Sequence, residues 1–194
     1  MGYIRGAFRE RIYRWLHARI PFDPWHITPV DKRDYGMGVI RHVNQRLKEL
    51  PVRGKVIEIG CGLGDILADI AWPSTEKFGY DLSESCVRAA RIVHPGLHFQ
   101  KGSFEDVSGQ DISCLIAVDF LHAIEPQKVK RYFQEIVSDN RIKMIVVDRV
   151  FSPPYRYSHD YEDLFRAFGY HCVFRSRAYV AWGGTPRYLM FFEA

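Results

Sequence analysis

An apolar run, Val56-Ile57-Glu58-Ile59, enters the turn Gly60-Cys61-Gly62-Leu63-Gly64, and residues 65–71 then read as a helix. Glycines at such a turn let bare backbone approach a ligand, and open α/β sheets bind ligands outside the carboxyl ends of their strands. The chemistry of the turn therefore depends on which ligand it suits. A dinucleotide fingerprint, G-x-G-x-x-G, would place its third glycine at position 65. That residue is Asp65, and the third glycine falls at 64. A carboxylate in the first helical turn opposes a pyrophosphate, which needs positive potential there. The NAD reading loses ground.

Three further groups stand at the ends of later apolar runs: Tyr80-Asp81-Leu82-Ser83, Gly102-Ser103-Phe104-Glu105, and Asp119-Phe120-Leu121-His122. Read as E-x-G-x-G-x-G, Glu58 to Gly64 resembles the first motif of class I S-adenosylmethionine-dependent methyltransferases. The other three groups resemble that family's later motifs, so the resemblance covers residues 54–150 and the C-terminal strands. It implies that Glu58, Gly60, Cys61, Gly62 and Gly64 cradle S-adenosylmethionine and release S-adenosylhomocysteine. Asp81, 23 residues after Glu58, would accept the ribose hydroxyls, with Leu82 against the adenine face. Ser103 stands where the family commonly has Asp, so a hydroxyl must serve the adenine, and Phe104 would stack on it. Asp119 would hold the methionine ammonium or orient the substrate. Such a cofactor carries a sulfonium and an ammonium but no phosphate, so acidic residues around the turn help rather than harm.

Methyl transfer is an in-line displacement in which the protein aligns the reactants and excludes water. A hydroxyl acceptor gains from a base. His122 is the first candidate because the resemblance places it near the methyl group. His26, in the proline-rich stretch Pro21-Phe22-Asp23-Pro24-Trp25-His26, is the second, and His159 with Asp160 the third. Tyr13, Trp15, Phe22, Trp25, Tyr155 and Tyr157 are candidates to wall a substrate pocket with His26. The N-terminal segment and the loop after the fifth strand are expected to face each other across its mouth. Ser152-Pro153-Pro154-Tyr155 resembles the signature with which amino-methyltransferases of DNA bases hold a flipped base. Here it follows the fifth strand rather than the fourth, and it reads as a loop.

Positioning these groups requires alternating strands and helices. Strands are expected near 56–59, 78–81, 97–100, 112–118 and 142–148, with helices at 35–50, 65–71, 84–93 and 126–137 between them. This predicts an α/β fold, a Rossmann-like three-layer sandwich around a seven-stranded, mostly parallel sheet. After a helix near 161–168, strands at 172–177 and 188–192 are joined by Gly183-Gly184-Thr185-Pro186, which suggests an antiparallel hairpin at the sheet edge. Residues 1–34 are expected to form a helical lid and aromatic loop, and 35–194 the catalytic domain.

At 194 residues, 47% hydrophobic and 26% charged, the chain has one globular domain's length and an ordinary soluble composition. Residues 1–53 carry a net charge of +6 and the remainder −2. Ile4, Phe8, Ile12, Trp15 or Leu16, and Ile20 recur at helical spacing among arginines, describing an amphipathic basic helix that ends at Pro21. Such a helix suits a lid, an anionic membrane surface or a nucleic acid. Cys61, Cys86, Cys114 and Cys172 show no metal-ligand spacing and read as buried free thiols. No apolar stretch is long enough to span a membrane, and a cytoplasmic setting is expected. The resulting expectation is methyl transfer to a small-molecule hydroxyl. The alternatives are an RNA or DNA methyltransferase using the basic segment, and a non-catalytic cofactor-binding protein.

Overall fold

A computed structural model describes residues 2–49, 54–180 and 184–194, with the side chains of residues 2–6 left aside. The long parallel strands are β1 (Lys55–Ile59), β2 (Lys77–Asp81), β3 (His98–Lys101), β4 (Asp111–Ala117) and β6 (Met144–Arg149). A two-residue strand, β5 (Arg141–Ile142), pairs with the start of β4. The helices are α1 (Gly2–His17), α2 (Asp34–Leu47), α3 (Asp65–Asp69), α4 (Glu84–Val93), α5 (Pro126–Asp139) and α6 (Tyr161–Arg166). Strands β7 (His171–Arg175), β8 (Tyr179–Val180) and β9 (Pro186–Glu193) complete the chain, and the main sheet runs β3-β2-β1-β4-β6-β9-β7.

Alternation along the strands explains the three layers. In β4, Cys114 and Ile116 enter one core while Ile112, Leu115 and Ala117 enter the core on the opposite face. Both faces of the sheet are thus apolar and both must be covered, as parallel sheets require. Local signals agree with the helix starts: the Ser83 hydroxyl accepts from the Cys86 N–H at the head of α4, and Pro126 opens α5.

The C-terminal strands form the expected antiparallel pair at the sheet edge, and their order places the last strand inside. β9 is antiparallel to both β6 and β7 and lies between them, leaving β7 at the edge. Its run Leu189-Met190-Phe191-Phe192 is fully buried, the mark of an interior strand, whereas β7 is largely exposed and Cys172 with it. The expectation of four buried thiols therefore fails at Cys172. Gly183 of the connecting turn, and Leu50 and Pro51 at the end of the second expected helix, lie outside the described residues.

The N-terminal helix packs through Tyr13 and Leu16, with Phe22 beyond it, against Leu63, Cys86 and Ala89. Between the alternative residues of its expected stripe, Leu16 is buried and Trp15 exposed; Phe8 is exposed too, and the Ile4 side chain lies outside the described set. The helix ends at His17, before Pro21.

Candidate active site

The strand order reverses at β1, which has β2 on one side and β4 on the other. The crevice at such a reversal is where α/β sheets bind ligands. A cavity of about 420 Å³ opens there, lined by the turn after β1, the ends of β2 and β4, and the N-terminal segment. That volume lies within the roughly 300–1,000 Å³ usual for small-ligand sites.

The turn adopts left-handed backbone at Gly60 (φ 67°) and Gly62 (φ 53°). A Cβ at Gly62 would lie 2.4 Å from the His26 ring, and one at Gly60 would lie 2.6 Å from Phe120, so these positions admit only glycine. Asp81 fixes the turn: its Oδ2 accepts from the Gly62 N–H at 2.8 Å and its Oδ1 from the Ser83 N–H at 2.8 Å. Each carboxylate oxygen retains acceptor capacity for a ligand hydroxyl.

Seven of the ten expected cofactor residues line the cavity: Glu58, Gly60, Cys61, Asp81, Leu82, Ser103 and Asp119. Gly62 lies beneath His26 and Gly64 beneath Phe99. Phe104 is 1% exposed and stacks on Tyr132, its centroid 5.2 Å away, so its ring is core and Tyr132 supplies the aromatic wall instead. The Ser103 hydroxyl accepts from the Asp106 N–H in a capping box.

The substrate and base candidates divide sharply. Trp25 and His26 line the cavity. Tyr13 does not; it is fully buried and its hydroxyl donates to Asp65. His159 is a core residue whose Nε2 lies 2.8 Å from the Leu121 carbonyl, and Asp160 caps α6. His122 packs edge-on against Tyr155, centroid distance 4.5 Å, outside the cavity lining. Tyr155 accepts from Arg187 at 3.2 Å, and Tyr157 is tied through its N–H to the His122 carbonyl. The loop after the fifth long strand thus braces the region behind Asp119, and the cavity mouth is formed by other segments.

Electrostatics at the site are dominated by buried carboxylates. Burial pushes the Glu58 carboxyl up to about 8, against the Leu67 N–H and the Arg33 charge. Burial would also raise Asp65, but hydrogen bonds from His94 and Tyr13 and the charges of Arg33 and Arg9 hold it below its ordinary value. Burial lowers the His26 pKa, with Asp81 partly opposing, so its imidazole is neutral at pH 7. Asp119 sits at φ 69°, a strained setting for a residue with a side chain. Its N–H donates to Asp148 at 2.7 Å, and its carboxylate accepts from Trp25, Tyr35 and Arg187. The sequence marked Asp119 but not Arg33, Tyr35, Asp148 or Arg187.

Glu58 gives a measurable signature. Its folded pKa exceeds the unfolded value of 4.5, so its contribution is full below 4.5 and is lost as pH rises through about 8. Stability should fall by about 1.5 kcal/mol between pH 6.5 and 8, and Glu58→Gln should flatten that limb. Urea unfolding at the two pH values checks this; an equal slope in the variant contradicts it.

The residues fit S-adenosylmethionine. Arg33 presents a buried Nε without a hydrogen-bond partner at a cavity that it lines, which suits the cofactor's carboxylate. Bare glycine backbone and Asp81 suit its nucleoside, and the acidic lining suits its positive charges. The fold is a Rossmann-like three-layer sandwich, and the site carries groups that suit S-adenosylmethionine.

Residues 56–138 match the family model described as a methyltransferase domain. Magnesium protoporphyrin IX methyltransferase from Synechocystis PCC 6803, crystallised with S-adenosylmethionine, superimposes with a TM-score of 0.68 at 14% identity, covering 99% of this chain and 96% of that one. The bifunctional kinase-methyltransferase WbdD gives 0.63 at 15% identity over 92% of this chain and 45% of its own. PH0226 from Pyrococcus horikoshii OT3 gives 0.58 at 16% identity, over 84% and 91%. No curated protein sequence matches the chain. No described helix is long and apolar enough to cross a membrane.

Proposed function

We propose that the protein methylates a hydroxyl of a small-molecule acceptor, with His26 as the base. The observation that carries this reading is the neutral imidazole of His26 lying on Gly62, inside the same cavity as Asp81 and Asp119. Bound S-adenosylmethionine supplies an electrophilic methyl group on a sulfonium sulfur. Asp81 would hold its ribose hydroxyls, Arg33 its carboxylate, and Leu82 and Tyr132 its adenine. Asp119 is already engaged by three donors, which makes it a brace for Trp25 and Tyr35 rather than a free ammonium ligand. Trp25 covers the cavity and excludes water, and His26 accepts the hydroxyl proton as the acceptor oxygen is methylated. An acceptor of metabolite size is supported by the structural likeness to an enzyme named for magnesium protoporphyrin IX. The nucleic-acid alternative is weakened because Arg9, Arg14, Lys32 and Arg46 are engaged in ion pairs within the chain.

Calorimetry with S-adenosylhomocysteine tests the cofactor assignment. Asp81→Ala removes a charged acceptor and the anchor of the Gly62 turn, so affinity should drop by about 1.5–3 kcal/mol, roughly 10- to 150-fold. Unchanged affinity in the variant would remove Asp81 from the site.

A further inference from the structure

The inward side of α1 is buried through Tyr13 and Leu16, yet Phe8 is 65% and Trp15 54% exposed. Phe8, Arg11, Ile12 and Trp15 line one shallow hollow on the helix surface. At 3.6 residues per turn these four fall within about 100° of the helix circumference, beside the buried stripe. The helix therefore has a second apolar patch, Phe8 and Trp15 with the half-buried Ile12 at its margin toward the core, that its own domain leaves largely uncovered.

Two of the arginines near this patch stand outside ion pairs. Arg9 pairs with Asp69 and Arg14 with Glu10. Arg11 and Arg19 make no ion pair among the described residues, and the Arg19 guanidinium lies 3.9 Å over the Trp15 ring. We propose that this face of α1 docks on an anionic lipid surface, with Phe8 and Trp15 entering the headgroup layer and Arg11 and Arg19 meeting lipid phosphates.

Aromatic and apolar side chains at the centre of a stripe, flanked by cations, match the requirements of an interfacial helix. A second copy of the chain would bring the same positive charges together. A nucleic acid would draw on many cations and few apolar groups, whereas here two arginines outside ion pairs flank two exposed aromatic side chains.

Co-sedimentation of the full chain with phosphatidylcholine vesicles, with and without phosphatidylserine, tests the proposal. Binding to the mixed vesicles, little to phosphatidylcholine alone, and weakening by salt are expected. Phe8→Ser with Trp15→Ser, and separately Arg11→Glu with Arg19→Glu, should each reduce partitioning about tenfold or more. The thermal midpoint should stay unchanged, because these side chains lie outside the core. Equal binding to neutral vesicles, no binding to mixed ones, or retention by either double variant overturns the proposal. So does a dimer abolished by the Phe8 and Trp15 changes, or an RNA duplex that binds through the same residues more tightly than the vesicles.

Discussion

Replacing His26 by Asn should lower kcat for a hydroxyl acceptor by about 10²- to 10⁴-fold, the usual contribution of a positioned base. The expectation follows from three facts: the ring lines the cavity, it lies against the turn at Gly62, and burial keeps it neutral at pH 7. A base must be unprotonated to act, so the wild-type rate should rise with pH through a value below 6.5 and then level off. The Asn variant should lose that acidic limb and show its loss in kcat more than in KM. A ring that merely packs on Gly62 would produce a different pattern, a change in S-adenosylhomocysteine affinity with the limb intact. An undiminished kcat, or a persisting limb, would end the assignment of His26 as base.

The sequence exposed the glycine turn and its acidic partner better than the rest of the cavity, for a physical reason. Glycines needing left-handed backbone and a carboxylate 23 residues on are constraints carried by local sequence, and Glu58, Gly60 and Asp81 were readable from it. The central strands β1, β4 and β6 were equally visible as buried apolar runs, while β3, exposed at three of its four residues, was placed by the alternation of strands and helices. Side-chain roles set by distant partners were not visible. Tyr13 read as a pocket aromatic, but its hydroxyl serves Asp65 across 52 positions of chain. Phe104 followed the third strand as the resemblance requires, yet Tyr132 and Phe133 draw its ring into the core. His122 was selected for its place after the fourth strand and His159 for its place after the diproline, and packing holds both outside the cavity lining. Arg187 gave no local signal because its position depends on β9 entering the sheet between β6 and β7.

That insertion creates the largest expected effect on stability. Because β9 runs antiparallel, its first residues lie at the carboxyl ends of the parallel strands, and Arg187 arrives beside Asp119 and Asp148. Arg187 is 5% exposed, its Nη1 is 3.1 Å from Asp148, and its guanidinium stacks over Tyr35 at 4.4 Å. Arg187→Met would leave two carboxylates buried or half-buried without a counter-charge, a change that costs about 3–5 kcal/mol. Lysine should rescue little, because one ammonium cannot reproduce the guanidinium fork. The deficit should depend on pH. Burial already pushes Asp148 up to about 6 with Arg187 opposing, and removing the arginine raises it further. A raised carboxyl contributes stability at low pH and loses it as pH climbs through the folded pKa. The gap between variant and wild type should therefore be wide at pH 7.5 and narrow at pH 5, where protonation removes the stranded charge. Asp148→Asn in the Arg187→Met background should recover part of the loss. Urea unfolding of the three proteins at both pH values decides the matter. A loss below about 1 kcal/mol that is the same at both would mean that the cluster is not held by charge.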